Sequence, residues 1–151
     1  MAKAAIYGDL STLVNGGIQE STGYGDLISN DIFTYLKKTY ASGIAPWKNS
    51  ILPRRAMQVP ADTRNDAITR LNTQFTGAVH PMLSLSPDAG LIVHPYTLRA
   101  EQSFLARQPN GIDQTVMGEA LQLYSLGVHG VFIDQPDLGV KAKNIFGCKS
   151  V

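Results

Sequence analysis

The sequence predicts an α/β domain built on a parallel sheet, and three short segments carry that expectation. Gly43-Ile44-Ala45-Pro46-Trp47-Lys48, Gly90-Leu91-Ile92-Val93-His94-Pro95-Tyr96-Thr97 and Gly127-Val128-His129-Gly130-Val131-Phe132-Ile133-Asp134 share one form. Each begins with glycine, continues as an apolar burst, and ends in polar or aromatic residues before a loop. Continuous apolar bursts, as opposed to alternation, indicate strands covered on both faces, as parallel strands are. Their spacing suits βα units of about 30 or more residues. Helical patterns lie between and after them, so the order βαβαβα predicts parallel strands with right-handed crossovers.

In chain order, residues 1–26 are rich in Gly, Ser, Thr and Asn and hold no period, so they read as loop. Ser29-Asn30-Asp31 offers N-cap chemistry to a helix whose apolar residues Ile32, Phe33, Leu36 and Tyr40 follow helical spacing. Residues 49–65 and 99–113 are long loops after the first and second strands, the position where α/β proteins keep their sites. Helices are expected over Asp66–Phe75 and Gln114–Leu126, with a short turn over Pro81–Leu85. The second helix carries a stripe of Val116, Ala120, Leu123 and Tyr124. Pro136 starts a last helix through Lys143, with Asp134 or Gln135 near its cap.

Composition sets bounds. The 151 residues are 44% hydrophobic and 17% charged, the make-up of one soluble domain. A formal charge of +1 without a long run of either sign argues against nucleic acid as a partner. The N-terminal apolar run is too short for a signal or a membrane span. The single cysteine, Cys148, permits no intrachain disulfide, and the compartment stays unassigned.

Taken in order, the three strand segments resemble the glycerophosphodiester phosphodiesterase family from about Asp31 to Lys143. Ser42-Gly43-Ile44-Ala45-Pro46-Trp47-Lys48 resembles the family's "DGIGPWK" near its sixth barrel strand. Gly90 to Arg99 resembles "GLxVHPYTxR" at the seventh, and Gly127 to Asp137 resembles "GVDGxFTDFPD" at the eighth. The chain departs at Ala45 for a glycine, at His129 for an aspartate and at Ile133 for a threonine. Pro87 falls where the family runs an uninterrupted helix, and is expected to break or kink it.

The resemblance implies a partial TIM-type (β/α) barrel: an irregular segment over residues 1–30, then C-terminal βα units over residues 31–151. It implies a phosphoric diester hydrolase that converts a glycerophosphodiester and water to an alcohol and glycerol phosphate. The family's cofactor is a divalent metal, Ca or Mg, held by carboxylates and assisted by two histidines. Its His-Arg-Gly and Glu-x-Asp motifs do not occur in these residues. The expectation is therefore a chain without catalytic or metal residues of its own, binding no metal tightly, and inactive in isolation. The alternative is a non-catalytic truncated remnant or interaction module.

The resemblance and the barrel rule together place His94, Tyr96, Arg99, Trp47 and Phe132 at the mouth of a substrate site. His94 either orders a phosphate or metal-bound water, or is satisfied by a neighbouring carbonyl. Arg99 is suited to bidentate pairing with a phosphodiester oxygen or to surface solvation. Trp47 and Phe132 either wall the glycerol or head-group pocket or pack as core. Asp134 suits a site carboxylate or a helix cap. His80 and His94 with Asp88 or Asp134 match no metal-ligand spacing.

A few parallel strands outside a closed barrel leave sheet edges and an apolar face, which favours self-association. Light scattering is expected to show a dimer or larger species. A stable monomer at high concentration would contradict this expectation.

Overall fold

The computed structural model describes residues 27–57 and 73–149. The readings of residues 1–26 as loop, and of 58–72 as loop and helix, lie outside them. The described residues form a mixed helix and sheet arrangement with a small parallel sheet.

Helix α1, Asn30–Thr39, begins as the sequence indicated: the Ser29 hydroxyl accepts a 3.2 Å hydrogen bond from the Ile32 amide. Asp31 in its first turn and Lys37 and Lys38 in its last complement the helix dipole, while Ile32 and Phe33 are buried. The chain then enters β1, Gly43–Ile44, and the short helix α2, Lys48–Ile51.

β1 pairs in parallel with β4, Ile92–Val93, in the register Gly43 to Ile92 and Ile44 to Val93. The ladder continues beyond the named strands. Tyr96 N donates to Pro46 O at 3.0 Å and Lys48 N to Tyr96 O at 2.8 Å, and Trp47 bridges Tyr96. The third predicted strand, residues 127–134, is not a strand of this two-stranded sheet, and the segment runs on the other side of β4 through separate hydrogen bonds and one isolated bridge. His129 N donates to Val93 O, Phe132 N to Pro95 O and Asp134 N to Leu98 O, and Leu98 bridges Ile133 in parallel. The three segments are thus adjacent, parallel and in chain order, as a βα repeat adding by neighbours requires.

Gly43 is needed for this pairing. A Cβ there would stand 2.7 Å from the Ile92 carbonyl oxygen, so a side chain would force the two strands apart.

Burial among the described residues alternates along the second segment. Leu91, Val93 and Pro95 are fully buried, whereas Ile92 and Tyr96 are exposed. The apolar burst here alternates in environment without alternating in residue type.

Two further readings change. Thr73–Phe75 is a strand, β3, and not the end of a helix. The region read as loop after the first strand holds α2 and β2, Arg54–Ala56, which pairs antiparallel with β3 in the register Arg54 to Phe75. The tertiary ladder overrode a helical reading, because Thr73 O accepts from Arg107 N at 2.8 Å and Phe75 N donates to Arg107 O at 2.9 Å.

Helix α3, Met82–Asp88, is longer than the turn expected over Pro81–Leu85, and contains Pro87 in its last turn. Pro87 acts there as a terminator, since the helix ends one residue later and Leu91 N folds back to Ser86 O at 2.8 Å. A 3₁₀ turn occupies Gln102–Phe104 in the loop after β4.

Helix α4, Val116–Ser125, is capped by the Thr115 hydroxyl, which accepts from Gly118 N at 3.0 Å. Its buried positions Val116, Glu119, Ala120, Leu123 and Tyr124 follow the 3, 4, 7, 8 spacing of an inward face. Helix α5, Pro136–Lys149, starts on Pro136, and the Gln135 carbonyl accepts from Leu138 and Gly139. α5 packs on α4 through a stacked Tyr124–Phe146 pair at 5.6 Å and the fully buried Ala142.

Leu98, which bridges Ile133 of the 127–134 segment, is fully enclosed in the core. Leu98→Ala should cost about 2–5 kcal/mol, the range for a large-to-small change in a tight core. Urea unfolding measures it.

Candidate functional site

The carboxyl ends of the three parallel segments meet at one end of the sheet, and most of the sequence-predicted site residues stand there. Trp47 is 53% exposed, Tyr96 42% and Phe132 52%, which is unusual for aromatic residues on strands so close to a core. Trp47, Tyr96 and Arg99 line a cleft of about 680 Å³ together with Lys48, Arg54 and Phe104. Trp47 and Tyr96 also border an adjoining apolar groove of about 1110 Å³ that runs towards Phe33, Ile44 and Met82. The two aromatic side chains therefore divide a basic cleft from an apolar one.

His94 and Phe132 line neither cleft. Their rings meet edge to face, with centroids 6.3 Å apart. Gly130 makes room for this pair, since a Cβ there would lie 2.9 Å from His94 Nε2.

The other described histidines are occupied by backbone. His129 Nδ1 accepts from the Val93 amide at 3.2 Å and His80 Nδ1 accepts from the Met82 amide at 3.2 Å. At the position where the resembled family has an aspartate, His129 thus pins the 127–134 segment to β4.

Arg99 is held on three sides. Its Nη2 donates to Glu101 Oε1 at 2.8 Å, and its Nε lies 3.0 Å from Asp134 Oδ2. That second contact is an ion pair without hydrogen-bond alignment, because the buried Nε–H has no acceptor in line. The guanidinium also sits over the Phe104 ring, 4.0 Å from its centroid. Asp134 therefore faces Arg99, and the backbone of Gln135 accepts the first-turn bonds of α5. The Glu101 carboxyl is held below its ordinary value by a backbone hydrogen bond of its own and by Arg99.

Beneath Phe104 lies a group that sequence reasoning did not single out. Glu119, fully buried on α4, takes Lys48 Nζ on Oε2 at 2.7 Å and Arg54 Nη2 on Oε1. The Phe104 carbonyl accepts from the same two cations, from Lys48 Nζ at 2.9 Å and from Arg54 Nη1 at 3.0 Å. Arg54 also rests over the Phe75 ring, 5.0 Å from its centroid. Burial holds Lys48 and Arg54 below their ordinary values and outweighs the attraction of Glu119.

The available signal was Glu119 itself, a carboxylate in register with the apolar stripe of its helix. A charge at such a position needs a partner. Nothing local in the sequence says that the partners sit 71 and 65 residues away.

The described residues contain no group of three or more His, Cys, Asp or Glu arranged to hold a metal ion. Glu101 and Asp134 both pair with Arg99. Among the described residues these carboxylates are engaged by Arg99 and do not form a donor set for the divalent metal that the resemblance implies. Among the described residues no helix is long and apolar enough to cross a membrane. No family model matches the chain.

Proposed function

We propose that the chain forms the substrate-contacting wall of a glycerophosphodiester phosphodiesterase-type scaffold, its βα units being part of a TIM-type barrel. The reaction served is hydrolysis of a glycerophosphodiester to an alcohol and glycerol phosphate. The reading rests on one observation: Trp47, Tyr96 and Arg99, each within a motif that resembles the family, converge on a single cleft at the carboxyl ends of parallel strands.

In this reading Trp47 and Tyr96 supply flat apolar surface to the glycerol and head-group carbons, and the basic wall faces the phosphodiester. Lys48 and Arg54 add charge to that wall, and Arg99 is steadied for the same task by Glu101, Asp134 and the Phe104 ring. His94 contributes by setting the position of Phe132 at the rim.

The 151 residues carry neither a His-Arg-Gly nor a Glu-x-Asp motif, so binding and turnover separate in the test. Glycerophosphoglycerol should bind the purified chain saturably by calorimetry, and Trp47→Ala should weaken it about three- to tenfold, the scale of a lost aromatic contact. No metal-dependent hydrolysis above background is expected. Absence of binding would favour a non-catalytic interaction module. Turnover abolished by a chelator would show catalytic groups in this chain, with His94, Glu101 and Asp134 the first to replace.

A further inference from the structure

We infer that the ligand of this site is a monoacyl glycerophosphodiester, with its acyl chain in the apolar groove and its phosphodiester end in the basic cleft. The inference rests on the proposed diesterase reading and names the substrate class that the same site takes.

Groove and cleft form one continuous depression, because Trp47, Asn49, Pro53 and Tyr96 line both. Away from that shared border the two differ in character. Lys48, Arg54 and Arg99 stand in the cleft alone, whereas no Lys, Arg, Asp or Glu lines the groove. Phe33, Leu36, Ile44 and Met82 line it instead, and Phe33 and Met82 belong to the buried core. His80 borders the groove with its Nδ1 already taken by the Met82 amide.

Size separates an acylated ligand from the free diester. The groove, at about 1110 Å³, is larger than the cleft, at about 680 Å³. It exceeds the roughly 300–1,000 Å³ of an ordinary small-molecule site. A glycerophosphodiester with a polyol head carries oxygen on every carbon and draws nothing from an uncharged wall. An alkyl chain does, since each methylene taken out of water strengthens binding by up to about fourfold.

The parts also fall in the right order. One end of the depression is cationic and the other uncharged, and only the width of Trp47 and Tyr96 separates them. A molecule with one anionic end and one alkyl tail complements both ends at once. Asn49, a polar residue common to both linings, stands where the glycerol hydroxyl and ester of such a ligand fall.

The test is calorimetry with glycerophosphoglycerol and its 1-hexanoyl, 1-octanoyl and 1-decanoyl esters, each below its micelle concentration. Affinity should rise by about two- to fourfold per added methylene. Monodecanoylglycerol, which lacks the phosphate, should bind about tenfold or more below the decanoyl diester, the scale of lost bonds to a charged group. Ala45 is exposed, lines the groove and not the cleft, and lies on extended chain beside β1, where an aromatic residue is tolerated. Ala45→Tyr should flatten the chain-length dependence and leave glycerophosphoglycerol affinity and Tm unchanged. Leu36→Gln, on α1, should reduce the same slope.

A flat series in a wild-type chain that still binds glycerophosphoglycerol would overturn the inference and leave the diesterase reading standing. No binding of any diester would remove both. An undiminished chain-length gain in Ala45→Tyr would put the alkyl chain elsewhere and overturn the inference. So would a wild-type dimer that Ala45→Tyr converts to a monomer, because a second copy would then fill the groove.

Discussion

A single buried carboxylate organises the end of the molecule where the clefts lie. Glu119 projects from α4 into the space between Lys48, at the start of α2, and Arg54, at the start of β2. Through those two cations it also fixes the Phe104 carbonyl, and so the turn after β4. Residues 48–54, the turn at Phe104 and α4 are tied together around one side chain. Taking three charges out of water is expensive, and the cluster is tolerable because each carboxylate oxygen is matched by a cationic donor. Its value to the fold is positional: it sets where the basic wall stands relative to Trp47 and Tyr96.

The second constraint is close backbone approach within the parallel arrangement. Among the described residues Ile92, Tyr96 and Trp47 are exposed, and two glycines permit the close contacts. Gly43 lets β1 approach β4, and Gly130 lets the His94 ring lie beside the 127–134 segment. An apolar groove and a basic cleft meet along Trp47 and Tyr96, so the surface is amphipathic over a short distance.

Much of the sheet was legible in the sequence, because glycine-led apolar bursts separated by helical patterns leave few topologies open. Caps at Ser29 and Thr115 and the Pro136 start of α5 follow from local chemistry and lie within or beside the predicted ends. The β2–β3 pair was not legible. Arg54-Arg55-Ala56 and Thr73-Gln74-Phe75 are too short and too polar to read as strands, and their pairing depends on Arg107 joining the ladder. Of the five proposed site residues, three line the cleft and two, His94 and Phe132, pair with each other beside it. Lys48, Arg54 and Glu119 escaped notice because a buried ion cluster is a long-range property, and only the misplaced charge on the α4 stripe hinted at it.

The dependence of this end of the molecule on Glu119 is tested most directly by denaturant unfolding of Glu119→Gln. The side chain keeps its size while two buried cations lose their counter-charge. A loss of about 3–5 kcal/mol, the range for breaking one side of a buried ion pair, is the predicted result. A change of less than about 0.5 kcal/mol would contradict it, because that is the range of an ordinary surface substitution.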